Sequence, residues 1–123
     1  MEINSITNTI IGCAIDIHKS LGPGLLESAY EKCLLFELIE HNLSVKQQVP
    51  LPLVYKKIQL DCSYKLDLIV EECVIIELKS IDTILPIHKA QLLSYLKISG
   101  FKVGLLINFN VNILKDGIIR LMN

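Results

Sequence analysis

No apolar stretch in this chain approaches the roughly 18 residues needed to cross a bilayer. Charges such as Glu27, Glu31, Asp67 and Glu77 interrupt every candidate. The opening MEINSITNTI lacks the basic end and the cleavage site of a signal peptide. The sequence therefore reads as cytoplasmic, with no membrane partner. The four cysteines, Cys13, Cys33, Cys62 and Cys73, are widely and irregularly spaced. With no CxxC pair and no Cys/His cluster to suggest zinc, they are expected to be buried, reduced thiols. Positive charge is not in excess either: 12 basic against 13 acidic residues leave a net charge of −1. The basic footprint usual for nucleic-acid binding is missing, and the lysines, Lys56-Lys57 apart, are scattered. There is no repeat, low-complexity tract or linker, and 123 residues suit a single domain over 1–123.

What the chain has in plenty is apolar side chain, 51% of residues with a mean hydropathy of +0.48. A well-filled core is expected, and a second copy of the chain, forming a homodimer, could cover surplus apolar surface. Ile3, Ile6, Ile10, Cys13, Ala14 and Ile17 recur at helical spacing and predict a first helix ending near Leu21-Gly22-Pro23-Gly24. Leu25, Leu26, Ala29, Cys33, Leu34, Phe36 and Leu38 predict a second helix, to about His41-Asn42. From Val45 to Lys79 the pattern changes to short β-rich runs: Val49 to Tyr55, Ile58 to Cys62 after a Lys56-Lys57 turn, Tyr64 to Val70, and Val74 to Lys79. These read as an antiparallel meander. Pro86 to Ser99 is a helix with proline in its first turn and Gly100 at its end, and Lys102 to Phe109 a further strand. Gly117 to Met122 is a last element of unassigned type. The order implies an α/β (α+β) core with a mixed sheet.

One hairpin carries acids in otherwise apolar strands. Glu77 and Lys79 are two residues apart and share a face, with Ile76 and Leu78 turned to the core. If Glu71-Glu72-Cys73 is a three-residue turn, Val70 pairs with Val74. Asp67 then falls opposite Glu77 and Lys65 opposite Lys79; a two-residue turn would mix the faces. Directly opposed residues have Cβ atoms about 4.5–5.5 Å apart. Carboxylates so placed repel unless a cation lies between them. Mg²⁺ or Mn²⁺, hard ions that take oxygen ligands, would suit the pair. A solvated face of mixed charge is the alternative reading of these residues.

Asp67 followed by Glu77-Leu78-Lys79 resembles the PD-(D/E)xK signature of metal-dependent nucleases, with Leu66 in place of the proline. Gly24-Leu25-Leu26-Glu27-Ser28-Ala29-Tyr30 matches GxxExxY, the motif of a family within that superfamily, and "LGPGLLESAYE", "DLIVEECVIIELKS", "QLLSYLK" and "GLLINF" are similar to that family too. The resemblance spans about Ile10 to Arg120. It implies a restriction-endonuclease-like core, a mixed central sheet flanked by helices. Asp67, Glu77 and Glu27 would be metal ligands, Lys79 the catalytic lysine, and Gln91 and Tyr95 the QxxxY pair of RecB-like nucleases. Four residues apart, Gln91 and Tyr95 share a helix face. His18, before the Gly-Pro-Gly break, falls where RecB-like enzymes place a metal-binding histidine. The bland alternatives are that Glu27 complements the helix dipole, that Gln91 and Tyr95 form an amphipathic edge, and that His18 is a helix-end histidine. Tyr30 is expected to pack and hydrogen-bond near the site. His88 could reach it, and His41 is expected at the surface.

The implied function is Mg²⁺- or Mn²⁺-dependent hydrolysis of phosphodiesters in nucleic acid, DNA first. The alternatives are a non-catalytic nucleic-acid- or partner-binding module that keeps the metal site, and a hydrolase of smaller phosphate esters.

Overall fold

The computed structural model describes residues 1–60 and 64–123. The thiol of Cys62 and the end of the run expected over Ile58 to Cys62 lie outside the described residues. Helix α1 runs over Ile3–Leu21 and α2 over Glu27–Glu40, separated by the Gly-Pro-Gly break. The strands are β1 (Val45–Pro50), β2 (Leu53–Tyr55), β3 (Ile58–Leu60), β4 (Lys65–Val70) and β5 (Val74–Lys79). Helix α3 (Pro86–Ser99) leads to β6 (Val103–Asn108), and a 3-10 turn at Leu114–Gly117 to β7 (Ile118–Met122). Gly100 closes α3 at φ 81°, a left-handed conformation that glycine adopts without penalty.

Five strands form one sheet in the order β1-β4-β5-β6-β7. β5 and β6 are parallel, joined through α3, and the other neighbours are antiparallel. This is a mixed sheet flanked by helices, as in a restriction-endonuclease-like fold. Ile6, Ile10, Ala14, Leu34 and Leu38 pack with Leu68, Val70, Val74, Ile76 and Leu78 on one face. Leu92, Tyr95 and Leu96 pack with Ile75 and Leu106 on the other. A sheet covered on both sides explains why β6 is buried at every position and shows no alternation.

The expected meander requires correction. β2 and β3 pair only with each other, as a separate two-stranded unit, and β1 pairs directly with β4. Val49 to Tyr55 is thus two strands, not one, broken at Leu51-Pro52; proline has no N–H to give a ladder. The hairpin leaves Val54, Tyr55 and Ile58 exposed, and Lys56 lies over the Tyr55 ring, 5.5 Å from its centroid. Among the cysteines described, Cys13 is buried, while Cys33 and Cys73 are only partly covered, short of the burial expected of them.

Candidate functional site

The site forms where β4 and β5 part. Glu71-Glu72-Cys73 turns the chain as a three-residue loop, with Val70 paired to Val74 and Leu68 to Ile76. Beyond Leu68 the ladder stops, and side chains take over its hydrogen bonds. The Leu78 N–H donates to Asp67 Oδ2 at 2.9 Å, and the Asp67 N–H donates to Glu77 Oε1 at 3.3 Å. The ladder thus includes neither of the two rungs that the extrapolated register predicts, Asp67 against Glu77 and Lys65 against Lys79. Each carboxylate lies between the strands and accepts a backbone N–H of the facing one.

The pair is poorly solvated. Glu77 is 7% exposed, and burial together with the nearby Asp67 charge raises its pKa from the ordinary 4.5 to about 8, with Lys79 pulling the other way. Asp67 is likewise pushed up by burial, and by the charges of Glu31 and Glu27, against the Leu78 and Gln48 hydrogen bonds. These are carboxylates short of positive charge. All-oxygen donors with uncompensated charge fit a hard divalent ion.

Glu27 is the first residue of α2, and its Oε2 accepts from the Ser80 N–H at 3.3 Å. Ser80 Oγ in turn donates to the Leu25 carbonyl at 2.6 Å, stapling the Gly-Pro-Gly loop to the end of β5. Tyr30 holds the loop from beneath. Its buried hydroxyl donates to the Gly22 carbonyl at 2.6 Å and accepts from the Leu25 N–H at 3.2 Å, while its ring stacks on Phe109 at 4.2 Å. Replacing Tyr30 with phenylalanine leaves both backbone groups without that partner and is expected to cost about 1–2 kcal/mol in urea unfolding. An unchanged midpoint would mean that the loop does not depend on the hydroxyl.

Lys79, half-buried at the end of β5, opens on a cleft of about 530 Å³ shared with Gln91, Tyr95, His88, Tyr64 and Leu53. Tyr95 is buried, senses the charges of Glu77 and Asp67, and meets Tyr64 edge-on at 6.1 Å. Gln91 is exposed on the same wall. His88 accepts from the Leu85 N–H at 2.9 Å through Nδ1, closing the first turn of α3. A second cleft of about 550 Å³ borders Glu27, Ser80 and Asn110.

His18 is buried, its Nε2 is 2.8 Å from the Val111 carbonyl, and its ring lies near Phe109, which leaves Nδ1 as its one uncommitted nitrogen. Among the described residues, one trio brings its ligand atoms within 4.8 Å of one another, and it is Cys13, Glu37 and His41 rather than the family acids. It lies at the far end of α2 from Glu27, a helix length of about 20 Å. His41 Nδ1 bonds the Glu37 carbonyl at 2.8 Å, which commits that nitrogen to capping the helix.

Sequence spacing did not flag four residues that build the site. Glu31, Gln48 and Ser80 carry its hydrogen bonds. The fourth, buried Asn108, fixes the loop after β5 by accepting from the Ile81 N–H at 3.1 Å and donating to the Ile81 carbonyl at 2.9 Å. Glu31 and Ser80 stand inside the motif stretches, but nothing in the pattern marks Gln48.

No curated protein and no solved structure matches the chain. The family profile described as the PD-(D/E)XK nuclease superfamily matches residues 4–121. Its nucleases act through divalent metals on nucleic acid, and the acids that the splayed hairpin brings together are of the type that chemistry uses. The chain belongs to the PD-(D/E)XK nuclease superfamily.

Proposed function

We propose that this chain is a metal-dependent nuclease cutting phosphodiester bonds, with DNA as its first substrate and Mg²⁺ or Mn²⁺ as its ion. The observation that carries the reading is the convergence of half-buried Asp67 and buried Glu77 beside Lys79, which lines an open cleft. Asp67 and Glu77 would hold the ion, with Glu27 within reach through water. When bound, it would supply neutralisation of phosphate charge and a water of lowered pKa. Mg²⁺ is commonly held by one or two carboxylates plus waters and substrate phosphate, so these few protein ligands suffice. The Lys79 ammonium would hold a phosphate oxygen or orient the attacking water. Gln91 and Tyr95 would guide the backbone along the α3 wall.

His18, whose Nε2 is held by the Val111 carbonyl, would join this ligand set only through Nδ1. The near-neutral net charge favours a short contact over a long phosphate track. A binding module that keeps the metal site is the second reading, favoured by that same charge.

The test is Mn²⁺-dependent cleavage by the purified chain on duplex, single-stranded and branched DNA and on RNA, with Glu77→Gln as control. Product from the unaltered chain and none from the control is expected. Tight binding with no cleavage on any substrate would remove the nuclease assignment and leave the binding module.

A further inference from the structure

β1 and β4 keep one register throughout: Val45 opposes Val70, Lys46 Ile69, Gln47 Leu68, Val49 Leu66 and Pro50 Lys65. The missing rung is Gln48 against Asp67. Gln48 lies at φ 52°, the left-handed region that L side chains rarely adopt. Across from it the alternation of β4 also breaks, since Leu66 packs on the α3 side of the sheet and Leu68 on the α1/α2 side. Successive strand residues should point to opposite faces. Here the twist at Gln48 lets two neighbours reach the same group: the Gln47 and Gln48 amides donate to Glu31 Oε2 and Oε1 at 2.7 and 2.8 Å. Glu31 is 7% exposed and sits one helical turn beyond Glu27.

We infer that Glu31 and Gln48 are positioning residues that set the Asp67 carboxylate for the cation. Gln48 Nε2 has two hydrogens. One goes to Glu31, and the other points to Asp67 Oδ1 over a longer 3.4 Å. Asp67 Oδ2 takes the Leu78 N–H from the opposite strand. Each oxygen of Asp67 is thus tied by one donor, from β1 and from β5, and keeps lone pairs for an ion. Glu31 takes one amide on each oxygen, and the amide it shares with Asp67 is that of Gln48, so Glu31 reaches Asp67 through Gln48. An unfavourable backbone conformation at a non-glycine residue is kept where it aims an amide at a metal-binding acid, which is where such strain gathers.

The inference rests on the metal reading of Asp67, and the test separates the two. Mn²⁺ binding is measured by calorimetry on the unaltered chain and on Gln48→Gly, Glu31→Gln, Gln47→Leu and Asp67→Asn. Glycine accepts the left-handed φ, and that relief offsets the hydrogen bond lost to Glu31, so Gln48→Gly should melt close to the unaltered chain without metal, yet bind Mn²⁺ about tenfold or more weakly, as losing a partner of a metal ligand does. Glu31→Gln should weaken Mn²⁺ similarly, and Gln47→Leu, which loosens Glu31 but leaves Gln48 on Asp67, should weaken it less. A merely structural role would move melting and affinity together. If Gln48→Gly binds Mn²⁺ as tightly as the unaltered chain while Asp67→Asn does not, the positioning role is overturned. If Asp67→Asn also binds normally, the metal reading falls and the inference with it. The unaltered chain gives an independent check by NMR: the Gln48 side-chain amide signals should shift on adding Mg²⁺ and in Asp67→Asn, and signals indifferent to both would overturn the role.

Discussion

Lys79→Ala is expected to lower the rate of Mn²⁺-dependent cleavage by on the order of a hundredfold or more, while nucleic-acid affinity falls only modestly. The lysine is held at the end of β5, paired with Asn108 of β6 in parallel register, and its carbonyl accepts from the Phe109 N–H at 3.0 Å. Its backbone is therefore fixed and its ammonium half-buried, close enough to lower the Glu77 pKa. A preorganised charge in a poorly solvated site acts most strongly on charge that develops during reaction. Ground-state binding, by contrast, is shared among several phosphate contacts, of which this is one. Measuring rate with Mn²⁺ and affinity with Ca²⁺ on the same substrate separates the two effects. Equal losses in both would make Lys79 an ordinary phosphate anchor.

The second large effect is on stability. Glu77 is an acid whose folded pKa, about 8, lies above the ordinary 4.5 expected when unfolded. The native state therefore binds more protons between those values, and stability must fall as pH rises through that window. The contribution is whole below the unfolded value and lost once pH passes the folded one. Without metal, the chain should melt several degrees lower near roughly pH 9 than near roughly pH 5. Mg²⁺ or Mn²⁺ binds the ionised form, so its stabilisation should grow over the same window, reaching about 2.7 kcal/mol at a hundredfold excess over Kd. Glu77→Gln should flatten the pH dependence and abolish the metal response. Asp67→Asn should weaken that response while leaving the metal-free fold intact or firmer, because the repulsion that raises Glu77 is gone. Thermal melts of the three proteins with and without Mg²⁺ decide the matter; a metal response of equal size in all of them would place the ion elsewhere.

Much of this was readable in the residues, because local chemistry dictated it. The three-residue Glu71-Glu72-Cys73 turn set the hairpin register as far as Leu68 and Ile76, and Asp67 meets Glu77 just beyond its end. Periodicity and the glycine and proline signals placed α1 to α3 within a residue or two. What was not readable depended on partners distant in sequence. Counting rungs assumes that a ladder continues, yet this one stops at Leu68 and Ile76, where the carboxylates of Asp67 and Glu77 accept the backbone donors. The run from Val49 to Tyr55 gave no sign that its second half leaves the sheet. Histidine before a helix end suits either a metal or a carbonyl, and the loop at Val111 that claims His18 comes 93 residues later. Gln48 is unremarkable as a letter; only its backbone, facing Asp67 and beneath Glu31, reveals what it does.

The twist at Gln48 also bears on how copies of the chain can meet. β1 is an edge strand of the five-stranded sheet, and a straight edge is an open template for another chain's strand. Here the edge is bent midway by a left-handed residue and stripped of a donor at Pro50. The twist that brings the Gln48 amide to Asp67 thus also guards this border against strand addition. Of the two borders of this sheet, the opposite one, β7, is the regular one, its pairing with β6 running unbroken from Ile118 to Met122.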